Sequence, residues 1–313
     1  MAALLLSGPS LGLAQTAAAP VAPDAPAAPD APPHMTWTEF LAQPKSPPTR
    51  RIPYGTEPSQ FVELWQPNGL GPHPVVIMIH GGCWTASVGS LALMDYIAGD
   101  LQRRGIAVWN IEYRRVGEPG GGYPGTFQDV GKAVDLLATY APAYSLDVKH
   151  VVAVGHSAGG HLALWAAARR RISPSSPLYT PHPLRIPAVL DIAGLPDLVS
   201  NTDTACGADV ITQLVGPSSP EHADVYADTS PQALLPLGVR QVVVLHGAGD
   251  VTVKAAVGQA YVAAARTAGD QVDFLSPPGD HMDEISPASD AWAAEVQAIL
   301  ALPRPHSSHA ATR

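Results

Sequence analysis

Short apolar runs and longer helical patterns alternate along most of this chain. Residues 74–79 (P-V-V-I-M-I), 106–113, 150–154 (H-V-V-A-V), 188–193, 241–245 (Q-V-V-V-L) and 271–275 are apolar and β-branched, the pattern of strands buried on both faces. Between them, residues 88–104 (closed by Gly105), 125–140, 160–171 and 253–268 read as helices, the third of these rich in alanine and leucine. Strand and helix in alternation predict an α/β fold with a mostly parallel, doubly wound sheet. Two earlier runs, 51–54 and 61–66, predict an antiparallel edge and bring the expected sheet to eight strands. Residues 195–238, after the sixth strand, hold no long periodic segment beyond a short helix at 209–214, so they read as a small insert rather than a second domain.

The ends of the chain break this pattern. Residues 2–14 are apolar but too short to span a bilayer, and Gly12-Leu13-Ala14 offers small residues of the kind a signal peptidase reads. Residues 1–34 are therefore expected to be a signal-like leader and a disordered Pro/Ala-rich tether, residues 35–303 a single domain, and residues 304–313 a disordered tail. The leader lacks a basic n-region, which leaves a plain disordered extension as the alternative. Export predicts a periplasmic or secreted protein with no stable membrane anchor. A hydrophobic content of 46% with 14% charged residues suits a large core, and a net charge of −9 argues against nucleic acid as a partner. The arginines 169–171 end a helix, where cations suit the dipole and need no ligand.

Chemistry gathers at the ends of the apolar runs. Gly155-His156-Ser157-Ala158-Gly159 joins the strand at 150–154 directly to a helix, the context that exposes a serine as a nucleophile. Side chains two residues either side of such a turn would collide, which accounts for Gly155 and Gly159. The Ala158 amide, at the positive end of the helix, is placed to donate to an oxyanion. Alone, the pentapeptide could equally be a Gly/Ser loop between core elements, so the partners decide.

A serine needs a general base, a carboxylate to orient it and a second oxyanion donor. The run at 74–79 leads into His80-Gly81-Gly82-Cys83-Trp84, whose glycines let the Gly82 or Cys83 amide approach a substrate oxygen. The run at 241–245 ends in His246-Gly247-Ala248-Gly249-Asp250, and the run at 271–275 feeds Pro278-Gly279-Asp280-His281. Asp250 and His281 thus fall on one edge of the sheet as orienter and base. Asp280 is a rival orienter, disfavoured because adjacent residues seldom face each other. His80 and His246, at strand ends, read as loop supports, and Glu112 with Arg114 as a structural corner. Asp280, Asp283 and Glu284 crowd His281, but without a second histidine at ligand spacing no metal is expected. Gly120-Gly121-Gly122 lacks the Lys-Ser/Thr ending of a phosphate loop and reads as a flexible surface turn near the pocket rim. Tyr226, Trp84, Tyr123 and Trp165 could line a pocket, Trp165 equally the core. Cys83 and Cys206 are the only cysteines, and in an exported chain a bridge between them would pin the insert across the mouth of the site.

These motifs resemble the α/β-hydrolase superfamily, and within it the branch carrying H-G-G-x-W. That branch includes bifunctional feruloyl/acetyl xylan esterase-like domains, hormone-sensitive-lipase-like esterases and kynurenine formamidases. The matching residues are 80–84, Asn110-Ile111-Glu112-Tyr113-Arg114, 155–160, 246–250 and His281. Met282 departs from the aromatic often found after this histidine. The resemblance implies hydrolysis of carboxylic esters or formamides without a cofactor, with Ser157 as nucleophile, His281 as base and Asp250 as orienter. Esters of small acyl groups or of plant-cell-wall type are the first expectation, an amide hydrolase using the same triad the second, and a non-catalytic binding module the outside case.

Overall fold

The central strands of this protein are buried on both faces because helices cover both, while the first strand of the sheet, with Arg50, Arg51 and Pro53 exposed, is not. The computed structural model describes residues 35–200, 206–220, 222–239 and 241–302, so the expected leader, tether and tail lie outside the described residues. The strands are β1 (Arg50–Pro53), β2 (Phe61–Trp65), β3 (His73–Ile79), β4 (Ala107–Ile111), β5 (Leu146–His156), β6 (Ala188–Ile192), β7 (Gln241–Leu245) and β8 (Val272–Leu275). They form one sheet in the order β1-β2-β4-β3-β5-β6-β7-β8. β1, β2 and β4 pair antiparallel and every other neighbour pairs parallel, the expected arrangement.

The helices are α1 (Trp37–Leu41), α2 (Asp95–Arg103), α3 (Gly125–Tyr140), α4 (Ala158–Ala168), α5 (Ala208–Val215), α6 (Ala255–Thr267) and α7 (Asp290–Ala301). Side chains alternate across each strand, and the two faces make two cores. Val75, Ile77 and Ile79 of β3 pack with α3, α4 and α6, whereas Val76 and Met78 pack with α2 and α7. α4 has no solvated face; all of its residues are buried, which its Ala/Leu-rich sequence permits. Among the described residues no helix is long and apolar enough to cross a membrane.

Three local expectations need correction. The helix expected from residue 88 begins only at Asp95, because the Glu112 carboxylate takes the Leu91 amide and Asn110 donates to the Leu91 carbonyl, holding a 3-10 turn at Leu91–Leu93. The Gly120-Gly121-Gly122 turn is packed rather than free: a Cβ on Gly121 would lie 1.8 Å from the Arg115 carbonyl, and one on Gly122 2.8 Å from the Gln213 carbonyl of α5. Arg169, read as a cation that suits the helix end without a partner, has one. It is 2% exposed, and its guanidinium grips the Asp135 carboxylate through both terminal nitrogens.

Candidate active site

The turn from β5 into α4 carries Ser157 at φ 56°, ψ −124°, a backbone conformation that non-glycine residues rarely hold. Its neighbours over-determine it. The Ser157 amide donates to the Ile192 carbonyl of β6 at 2.8 Å. A Cβ on Gly155 would stand 2.0 Å from the Gly159 carbonyl, and one on Gly159 2.0 Å from the Ile79 carbonyl, so only glycine fits either side of the serine. Ala158 opens α4, and its amide is among the first four that a helix leaves unpaired.

The glycine loop after β3 lies directly against this turn: a Cβ on Gly81 would be 2.8 Å from the His156 carbonyl and 3.0 Å from Ser157 Cβ. Gly82, Cys83 and Trp84 all have positive φ (104°, 51° and 51°), which coils the backbone tightly beside the serine. Among the described residues no hydrogen bond engages the Gly82 or Cys83 amide. The loop is held from behind. His80 is buried, bonded to Glu112 at 2.9 Å, stacked on Tyr113 and fixed by the Tyr113 hydroxyl, which donates to its carbonyl. In front, a disulfide joins Cys83 to Cys206 of the insert, with a Cα–Cα distance of 5.4 Å. Trp84 and Trp165 are core residues. Trp84 Nε1 donates to His161 Nδ1 at 3.1 Å, and Trp165 Nε1 to the Asp228 carbonyl at 2.8 Å. His161 is completed by the Thr229 carbonyl at 2.8 Å, and burial pulls its imidazole down to about 4, so it stays neutral. Tyr123 is half-buried, stacked on His222, with its hydroxyl on Asp228.

Asp250 and His281 come together from loops that follow different strands. His281 Nδ1 meets Asp250 Oδ2 at 2.8 Å, and Asp250 Oδ1 accepts the amides of Thr252 and Val253 at 2.7 and 2.9 Å. Burial pushes the Asp250 carboxyl up, but the His281 hydrogen bond and charge together with the two amides outweigh it and hold it below the ordinary carboxylate range. The imidazole is placed beside the elbow by its own backbone: the His281 carbonyl accepts from His156 Nε2 at 2.9 Å, and the two rings lie 4.4 Å apart. With Nδ1 committed to Asp250, Nε2 is the nitrogen left for a proton from the serine. Among the described residues no hydrogen bond joins it to Ser157, a contact that in unliganded enzymes often tightens only with substrate. Asp280 serves its own turn, with Oδ1 accepting the Met282 and Asp283 amides.

Glu284 is the residue that sequence reasoning undervalued. It is 0% exposed, Oε1 takes the Gly247 amide, and Oε2 has no hydrogen-bond partner. Burial, followed by the nearby Asp250 charge, raises its carboxyl well above the usual range. The available signal was proximity in the chain: Glu284 follows His281 by three residues, on the 3-10 turn that comes directly after the histidine's segment. Donor atoms of His156, His281 and Glu284 lie within 4.8 Å of one another and are the described atoms that could hold a cation. Nδ1 of His281 is engaged by Asp250 and Nε2 of His156 by the His281 carbonyl, while His156 Nδ1 has no hydrogen-bond partner.

Comparison with known proteins adds to this geometry. The BD-FAE family profile matches residues 63–264. The chain is 26% identical to Esterase LipC of Mycobacterium tuberculosis over 74% of this chain and 58% of that protein. It is 30% identical to the isoprenylcysteine alpha-carbonyl methylesterase of Arabidopsis thaliana over 37% of this chain and 27% of that one. The chain thus spans little more than half, or less, of these curated relatives. Among solved structures, a truncated carbohydrate esterase from gut microbiota superposes with a TM-score of 0.68 at 21% identity, covering 82% of this chain and 96% of that one, a likeness of fold.

Proposed function

The chain belongs to the BD-FAE family, and from that premise we propose that it is a serine hydrolase of carboxylic esters, acting through an acyl-enzyme on small acyl or plant-cell-wall-type substrates. The observation that carries this reading is the His281–Asp250 pair at 2.8 Å beside a strained Ser157 elbow and a coiled glycine loop.

In the reaction, Ser157 Oγ attacks the ester carbonyl carbon while His281 Nε2 takes the hydroxyl proton, and Asp250 stabilises the imidazolium. The carbonyl oxygen becomes an oxyanion held by the amides of Ala158 and of Gly82 or Cys83, each contributing roughly 2.7 to 4 kcal/mol. His281 returns its proton to the leaving alcohol as the C–O bond breaks. Water then repeats the sequence on the acyl-serine and releases the acid. The names of the similar proteins, esterases with one methylesterase and one carbohydrate esterase, support ester over amide cleavage. Export to the periplasm or exterior is part of the proposal, supported by the apolar leader in the sequence and by a disulfide at the site.

Parallel assays on p-nitrophenyl acetate, acetylated xylan, methyl ferulate and N-formylkynurenine test the reading. Turnover of the esters with fluorophosphonate labelling of Ser157 is expected. Preference for the formamide would favour the amide reading, and silence on all substrates with no labelling would leave a binding module.

A further inference from the structure

Burying a carboxyl group completely is costly unless it is neutral or paired, so the position of Glu284 calls for a physical account. It stands on the 3-10 turn Asp283–Ile285, directly after the segment that carries His281. Its Oε1 accepts the amide of Gly247, in the loop that leads from β7 to Asp250. Its Oε2 stands 3.6 Å from His156 Nε2 and 3.9 Å from His281 Nδ1, too far for hydrogen bonds and close enough for strong electrostatic coupling. One side chain therefore touches the orienter's loop and faces the base and the residue before the nucleophile.

We propose that Glu284 is a positioning residue for the general base, tying the loop that carries Asp250 to the segment that carries His281. The inference rests on the serine-hydrolase reading above.

The charge state follows from the surroundings. From the loop after β7 Glu284 faces Asp250, from the end of β5 His156, from β6 Asp191, from α7 Glu295, and from its own segment Asp280 and His281. Among the described residues no lysine or arginine pairs with it. Asp250 is the ionised member, supplied with two amides and the His281 ring. A second carboxylate here would repel Asp250 and hold the imidazole in its protonated form, in which it accepts no proton from serine. Neutral Glu284 keeps its link to Gly247 without that penalty, consistent with the upward push that burial gives it.

The test compares wild type with Glu284→Gln and Glu284→Met. Glutamine keeps an oxygen for the Gly247 amide and is always uncharged; methionine fills the space and leaves that amide unpaired. Glu284→Met should lower kcat about tenfold to a hundredfold with KM little changed, the signature of misplaced catalytic groups. Glu284→Gln should restore most of that loss, and the acid limb of its kcat/KM profile should coincide with that of the wild type. If Glu284 were ionised at neutral pH, removing its charge would move that limb to lower pH in Glu284→Gln, which would overturn the neutral form. Full activity in Glu284→Met would overturn the positioning role. The ring-proton NMR titration of His281 in the three proteins asks the same question without turnover: coincident curves for wild type and Glu284→Gln support the proposal, and displaced curves refute it. An inactive, unlabelled wild type would instead sink the serine-hydrolase reading, a distinct outcome.

Discussion

The two halves of the proposed site are held by different means. The acid–base half, Asp250 with His281, is fixed by hydrogen bonds alone: two within the loop after β7, one between that loop and the segment after β8, and one from His156 at the end of β5. The oxyanion half, residues 80–84, has a hydrogen-bonded rear at His80 and Glu112, but its front is tied by a covalent bond to Cys206, which is 123 residues away in an insert outside the sheet. The contrast teaches that the base's geometry belongs to the fold, whereas the oxyanion loop draws on an appendage. The first half should therefore fail through loss of chemistry and the second through loosening.

The sharpest test removes the reacting atoms of the nucleophile or of the acid–base half. Ser157→Ala or His281→Ala should lower kcat on p-nitrophenyl acetate by about 10⁵- to 10⁶-fold with near wild-type melting. Asp250→Asn leaves the shape and takes the charge, so a loss of about 10⁴-fold is expected in steady-state kinetics. The same carboxyl links this half to pH. Its folded pKa is depressed, so its contribution to stability is present above the ordinary carboxylate value near 3.9 and is lost as pH falls through its folded value; acid titration followed by circular dichroism should show Asp250→Asn lacking that component.

The oxyanion half is tested by Cys83→Ala with Cys206→Ala. Freed from its tether, the loop should cost about tenfold in kcat, well short of the 10²- to 10³-fold expected for losing a donor outright, because the rear anchors remain. Denaturant unfolding should show a loss of about 3–5 kcal/mol, as expected for a bridge that closes so long a loop. Equal kcat in the bridged and unbridged proteins would erase the contrast between the halves.

The smallest effect concerns the floor beneath both. Asp191 is fully buried on β6, where a Cβ on Gly160 would lie 2.1 Å from its Oδ1, and burial lifts its carboxyl to about 8. A raised folded value means that its share of stability is complete below about 4 and is lost as pH rises through about 8. The wild type should therefore lose melting temperature relative to Asp191→Asn between those limits, readable by scanning calorimetry.

Much of this was legible beforehand. Strands buried on both faces must be largely apolar, so the central ones appear in the sequence as runs, and the helix expected at 125–140 coincides with α3. The serine elbow was legible because its geometry demands glycine at two spaced positions. The late start of α2 was not, since the Glu112 carboxylate that captures Leu91 comes from the end of another strand. Trp84 and Trp165 looked equally fit for a pocket, and only their buried indole hydrogen bonds assign them to the core.

Local pattern and turn chemistry were enough to set out the strands and the elbow, because each depends on neighbours a few positions away. The burial of Arg169 against Asp135, the closure of Cys83 onto Cys206 and the place of Glu284 among two imidazoles and Asp250 were decided only in three dimensions. Desolvation and charge coupling act through space between loops distant in the chain, and no periodicity in the sequence records them.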